Sequence, residues 1–180
     1  MAIPRWNILL WAGIRAASLF DSAVAQDVSE FRTACLSFDP KKHVANIPSV
    51  NAHEFVSAGT TLQLPDNDPS CARPNQTVSI DVCRIALNIS TSSRSGIIFE
   101  QWLPVNWAGR FLATGNGGID GCLKYEDVNY GAANGFSSVG SNNGHNGTGG
   151  EAFYLNSEVV EDYVWRSCVP YCSTRTRTRV

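Results

Sequence analysis

The sequence of 180 residues lacks a surplus of basic charge: 14 Lys and Arg stand against 16 Asp and Glu, a formal net charge of -2. That argues against a nucleic-acid interface, which needs a basic face. After the N-terminus it also lacks any apolar run of about eighteen residues, so no transmembrane helix is predicted. Charged residues are few, at 17%, while 43% are hydrophobic. This balance excludes a disordered chain and a coiled coil, and the length fits one domain. Histidine is scarce: only His43, His53 and His145. No G-x-S-x-G nucleophile motif occurs, because Gly135 to Gly140 holds one residue too many. The dinucleotide motif G-x-G-x-x-G fails as well, since Asp120 stands where its third glycine should be, and no P-loop lysine follows. Cys168 and Cys172 form a lone C-x3-C without a second ligand pair, so no metal site is expected.

What is present begins with a leader. Arg5 precedes Ile8 to Ile14, a second apolar patch runs Ala16 to Phe20, and Ala23-Val24-Ala25 has the small-residue pattern of a cleavage site. Arg15 interrupts the apolar region. Residues 1–25 are read as a signal peptide, which makes the expected localisation secreted and extracellular. Asn75-Gln76-Thr77, Asn88-Ile89-Ser90 and Asn146-Gly147-Thr148 are N-glycosylation acceptor triplets, consistent with that compartment. There Cys35, Cys71, Cys83 and Cys122 should form disulfides, with three pairings open.

In the mature chain, Val28 to Leu36 predicts a helix with Phe31 and Cys35 on one side. Thr60 to Leu64, Val78 to Ile80, Cys83 to Ser90, Ile97 to Leu103, Arg110 to Ala113 and Gly135 to Gly140 read as strands. Pro65 to Ser70 is a loop. Asp66 and Asp68 there fit a solvated turn better than a calcium loop, because the glycine is missing and Pro69 breaks the spacing. Asn156 to Arg166 predicts a helix capped by Asn156, with Val160, Tyr163 and Val164 as its apolar stripe.

Between Gly115 and Gly150, 36 residues hold 11 of the 15 glycines. Leu123, Tyr125, Val128, Tyr130, Phe136 and Val139 lie among them, which a flexible linker would lack. A structured loop region that builds a site is therefore expected. A glycine-rich turn directly after a strand can aim backbone N–H groups into a cleft and hold a developing oxyanion. Gly117 and Gly118 are the candidate donors, and Asn116 and His145 are candidates for ordering the loop.

Trp107-Ala108-Gly109-Arg110-Phe111-Leu112-Ala113-Thr114-Gly115-Asn116-Gly117-Gly118 resembles the W-x-G-R-F-L-x-x-G-N-G-G signature of the tannase/feruloyl esterase family. Gly121-Cys122, Tyr125, Tyr130-Gly131, Gly135-Phe136, Val139-Gly140 and Asn143 to Thr148 continue the likeness, which runs from about Val28 to Ser167. The resemblance implies an α/β class, the N-terminal fragment of an α/β-hydrolase fold with an incomplete sheet. It implies a secreted serine carboxylic ester hydrolase acting on small plant phenolic-acid esters, with a Ser-Asp-His triad. It also implies the pairings Cys35–Cys83 and Cys71–Cys122, and a calcium site in a lid that this chain lacks, so no cofactor is expected here.

Family members are about three times this length, well past a single small core. Residues 26–167 are read as the N-terminal part of the domain and residues 168–180 as a non-family tail. Cys172-Ser173-Thr174 mimics the start of a nucleophile elbow, but Arg175 follows the serine where small residues are needed. The expectation is a chain without its triad, inactive alone, whose parallel sheet is cut after its first strands. An alternative is a secreted non-catalytic module that binds sugars or phenolics through Trp102, Trp107, Tyr125 and Tyr130.

Overall fold

The computed structural model describes residues 27–168. The predicted signal peptide and the elbow-like Cys172-Ser173 lie outside that range. The first helix, α1 (Val28–Ser37), opens with Asp27 accepting the Ser29 N–H at 2.8 Å, and it buries Phe31 and Cys35, one turn apart. Strand β1 (Ser49–Val56) follows, then a small hairpin of β2 (Thr61–Gln63) and β3 (Asn75–Thr77). The main strands are β4 (Val82–Ser90), β5 (Gly96–Pro104) and β6 (Arg110–Ala113). Helix α2 (Tyr125–Ala133), strand β7 (Phe136–Ser141) and helix α3 (Ser157–Val164) follow.

Five strands form one sheet in the order β1-β4-β5-β7-β6. Alternation along β4 and β5 sorts the core into two layers. Cys83, Ile85, Leu87, Ile97 and Phe99 face α1, with Phe31 and Cys35 against them. Val82 and Trp102 face the other way, joining Leu123, Tyr125 and Val128 of the α2 region. Phe99, Leu87 and Ile97 are at most 2% exposed. Each such side chain contributes about 1.5–3 kcal/mol of burial.

Three of the four contacts in this sheet are antiparallel; only β6 and β7 run parallel. The expected parallel sheet is thus corrected. The short Ser90-to-Gly96 connection turns β4 straight back as β5, whereas β6 and β7 are joined through α2, and only such a crossover permits parallel neighbours. Predicted strands at Cys83 to Ser90, Ile97 to Leu103, Arg110 to Ala113 and Gly135 to Gly140 match β4, β5, β6 and β7 to within a residue. Two of the element expectations fail. The Val78 to Ile80 strand lies earlier, at Asn75–Thr77; Val78 is instead a fully buried residue leaving the hairpin. Helix α3 does not bury Val160 and Val164, which are 40% and 66% exposed. Its inward residues are Val159 and Asp162. Finally, β1 and α2 went unpredicted.

Disulfides join Cys35 to Cys83 and Cys71 to Cys122. The first ties α1 to β4. The second ties a short 3-10 turn, Pro69–Cys71, to the loop before α2.

Candidate functional site

Strands β6 and β7 run parallel, so their carboxyl ends lie at one edge of the molecule. In open α/β sheets that is where ligands bind. Two loops leave those ends, residues 114–124 after β6 and residues 142–150 after β7, and they are bonded to each other. The Gly121 N–H donates to the Gly147 carbonyl at 2.8 Å. His145 donates through Nε2 to the Ile119 carbonyl at 2.9 Å, and the Asn116 amide donates to the Asp120 and Ser141 carbonyls at 3.2 and 3.1 Å. A carbonyl can only accept, so His145 carries its proton on Nε2.

Close approach explains a glycine here. A Cβ on Gly121 would lie 2.1 Å from the His145 carbonyl oxygen, so only glycine lets the two loops touch.

Gly117 and Gly118 sit at the exposed outer turn of the first loop. Among the described residues neither N–H donates a hydrogen bond, whereas their carbonyls are used: Gly117 accepts from the Asp120 N–H, and Gly118 accepts from the Tyr163 hydroxyl of α3. The turn is pinned by its oxygens and leaves its donors open.

Its further support comes mostly from residues that were not site candidates in the sequence. Tyr163, Phe153 and the His145 ring form a cluster with centroids 4.7 to 5.9 Å apart. Asp120 accepts the Cys122 N–H at 3.2 Å and pairs with Lys124 at 2.7 Å. Arg73 donates to the Cys71 carbonyl and to Glu126 at the start of α2, bracing the Cys71–Cys122 disulfide. The Arg73 hydrogen bonds hold the Glu126 carboxyl below its ordinary range. Within this cluster the His145 Nδ1 and both Asp162 carboxylate oxygens are buried without a hydrogen bond, the nearest charge to Asp162 being Arg166 at 3.6 Å.

Beneath the loops, a cavity of about 220 Å³ is lined by Arg84, Glu100, Tyr125, Asn142 and Gly121, but not by Gly117 or Gly118. Its floor is a buried ion pair, Arg84 Nε to Glu100 Oε1 at 2.6 Å, with Trp102 Nε1 donating to the same oxygen at 2.7 Å. Burial, followed by the Glu100 charge, pushes the Tyr125 hydroxyl far above its ordinary range, so it stays protonated.

Other expectations separate. The four aromatics proposed as a binding platform differ in setting: Trp102 is fully buried and Tyr125 is 7% exposed in the core, Trp107 is half-buried with its Nε1 donating to the Arg110 carbonyl at 2.7 Å, and Tyr130 is 71% exposed on α2. Core packing claims the first two, because large rings gain most from burial. Asp68 caps the 3-10 turn, accepting from Ser70 N–H and hydroxyl at 2.9 and 2.7 Å. His53 lies beside Cys35 and Cys83, but their sulfurs are joined to each other, and its Nε2 meets the Cys35 carbonyl at 2.7 Å.

Comparison with known proteins places this geometry. The family model described as tannase and feruloyl esterase matches residues 83–174, slightly more than half of the chain. The chain belongs to the tannase and feruloyl esterase family. The match runs past Ser167 to Thr174, further than the motifs alone reach. A protein of Aspergillus flavus named "Probable feruloyl esterase B-2" is 53% identical over 171 residues, covering 93% of this chain and 30% of that protein. Feruloyl esterase C of Talaromyces stipitatus is 44% identical over 160 residues, covering 89% and 29%. The crystal structure of feruloyl esterase B from Aspergillus oryzae superimposes with a TM-score of 0.74 at 46% identity, covering 81% of this chain and 29% of that one. The chain thus spans about 30% of the length of the curated relatives it matches. Its fold is the corresponding part of an α/β-hydrolase-type tannase-family domain.

Proposed function

We propose that this chain carries the oxyanion loop of a secreted carboxylic ester hydrolase acting on small plant phenolic-acid esters. The supporting observation is the turn at Gly117-Gly118. Its two N–H groups are unspent, its carbonyls are fixed by Asp120 and Tyr163, and it leaves the carboxyl end of β6. Preorganised donors of this kind stabilise a developing oxyanion without reorganising during the reaction. Asn116 and His145 act as positioning residues, each holding a carbonyl of the same loop. The nucleophile, base and acid belong to the part of the family domain that lies beyond the described residues.

The test is a chimera in which residues 26–167 replace the matching segment of the Aspergillus oryzae enzyme, assayed on methyl ferulate. The chimera should hydrolyse the ester. Gly117→Val and Gly118→Val should each lower kcat at least tenfold with KM little changed. Gly117 is the cleaner site, because its backbone lies outside the left-handed region and an added Cβ meets nothing closer than Asp120 at 3.9 Å. Turnover unchanged in both variants overturns the assignment.

A further inference from the structure

The three acceptor triplets share one sequence pattern but occupy three different environments. Asn75 lies exposed on β3, in the two-stranded hairpin, and its side chain makes no hydrogen bond among the described residues. Asn146 is exposed in the loop after β7. There its Oδ1 accepts from the Asn142 amide at 3.1 Å, while its Nδ2 donates to nothing among the described residues. Asn88 is half-buried in β4, with Ser49 of β1 on one side and Ile98 of β5 on the other.

The Asn88 side chain is also committed. Its Nδ2 donates to Ser49 Oγ at 2.8 Å, Ser49 Oγ donates to Asn51 Oδ1 at 2.9 Å, and Asn51 Nδ2 returns to Asn88 Oδ1 at 3.3 Å. This closed ring of three side chains bridges β1 and β4 where the register slips between Val50 and Ala52. Rings of this kind polarise one another, and opening one leaves half-buried polar groups unpaired.

We infer that Asn75 and Asn146 are the N-glycosylated residues of the folded chain and that Asn88 is left bare. The inference rests on the secretion reading, because only the secretory route supplies the co-reactant, a lipid-diphosphate-linked oligosaccharide. In the modification a bond forms between Asn Nδ2 and the anomeric carbon. The anomeric carbon–oxygen bond to the diphosphate breaks, and the amide proton leaves with the released lipid diphosphate. No electron is gained or lost overall. Asn75 and Asn146 are exposed and their reacting nitrogens are unspent, so a glycan there breaks no hydrogen bond of the fold. At Asn88 one of the two amide N–H groups is held by Ser49, and a sugar replacing the other must lie against the polar ring and across a ladder paired on both sides. A chain modified there during synthesis cannot close the β1–β4 contact, and it is lost from the secreted pool. The Asn146 glycan would stand next to His145 and Gly147, on the rim of the proposed oxyanion loop.

The experiment expresses the full chain, with its own residues 1–25, in a secreting yeast. Secreted protein is deglycosylated by peptide N-glycosidase in heavy-oxygen water, and its peptides are read by mass spectrometry. The expected result is a heavy-oxygen aspartate at positions 75 and 146 and an unchanged asparagine at 88. Asn75→Gln and Asn146→Gln should each remove one glycan step on a gel, and Asn88→Gln should remove none. A glycan on Asn88 in secreted protein, or a bare Asn75 or Asn146, overturns the inference. An intracellular, unmodified chain overturns the secretion reading instead. The same chain behind a proven secretory leader then reads the three positions directly, by the same criteria.

Discussion

In β4 and β5 the chain buries Leu87, Ile97, Phe99 and Trp102, whereas from Gly115 to Gly150 much of what it buries is polar: Ser137, Ser138, Ser141, Asn142 and His145. The strand platform is held by alternating apolar faces, strand ladders and one disulfide to α1. The glycine-rich rim is held by side chains bonding loop carbonyls, by close backbone approach at Gly121, and by Cys71–Cys122. Apolar burial is non-directional and tolerates small shifts. Hydrogen bonds to loop carbonyls fix direction, which a row of unspent N–H donors requires. The platform therefore sets whether the domain folds, and the rim sets where the donors point.

Three substitutions probe this division. The largest effect is expected from Glu100→Gln, which leaves Arg84, 13% exposed, without its buried counter-charge. Breaking such a pair costs about 3–5 kcal/mol. Urea unfolding should show a loss near the lower end, since Glu54 still pairs with Arg84 at 3.0 Å, and all probes should shift together. A change confined to the rim would break the comparison.

Next, Gly121→Ala drives a methyl group against the His145 carbonyl, an overpacking cost of about 1–3 kcal/mol. Hydrogen exchange should quicken across residues 116–148 while β4 and β5 keep their protection. Equal loss in both regions would mean the rim is part of the platform after all.

The smallest effect concerns pH. Hydrogen bonds from Arg166, then Ser92 and Arg94, hold the Glu158 carboxyl down to about 2. Its unfolded value is roughly 4.3. A carboxyl depressed in the folded state stabilises above the unfolded value, and that contribution fades as pH falls toward the folded one. The thermal midpoint of wild type should thus decline between about pH 5 and pH 2 more steeply than that of Glu158→Gln. Parallel curves for the two would show that α3 gains nothing from this cluster.

The platform strands were readable because their signals are local. Ile85, Leu87 and Ile89 alternate, Ile97 to Leu103 is densely apolar, and Arg110 to Ala113 sits inside a specific motif. Strand β1 was not readable: only Val56 of its eight residues is buried, so the apolar pattern is faint. Helix α2 was hidden by Gly131, which weakens helix propensity. Its reason is tertiary, because a Cβ there would lie 2.2 Å from Ser138 Oγ and 2.7 Å from Leu112 Cδ2, where the helix crosses the sheet. The α3 stripe was misassigned because Val160 and Val164 are apolar but outward, while Asp162, fully buried, faces in against Gly144.

By itself, the sequence determined the class of fold, the strands of the platform, the family likeness and the loop that carries the proposed donors. Those follow from periodicity, composition and contiguous motifs, which act over short stretches of chain. Only the tertiary structure decided that three of the four contacts in the five-stranded sheet run antiparallel, that Tyr163 holds the Gly118 carbonyl from 45 residues away, and that Asn88 is locked in a polar ring while Asn75 and Asn146 keep their amide nitrogens unspent among the described residues. Each of these depends on groups brought together by strand register and loop closure, and no local pattern encodes the partner that a backbone carbonyl or an asparagine will meet.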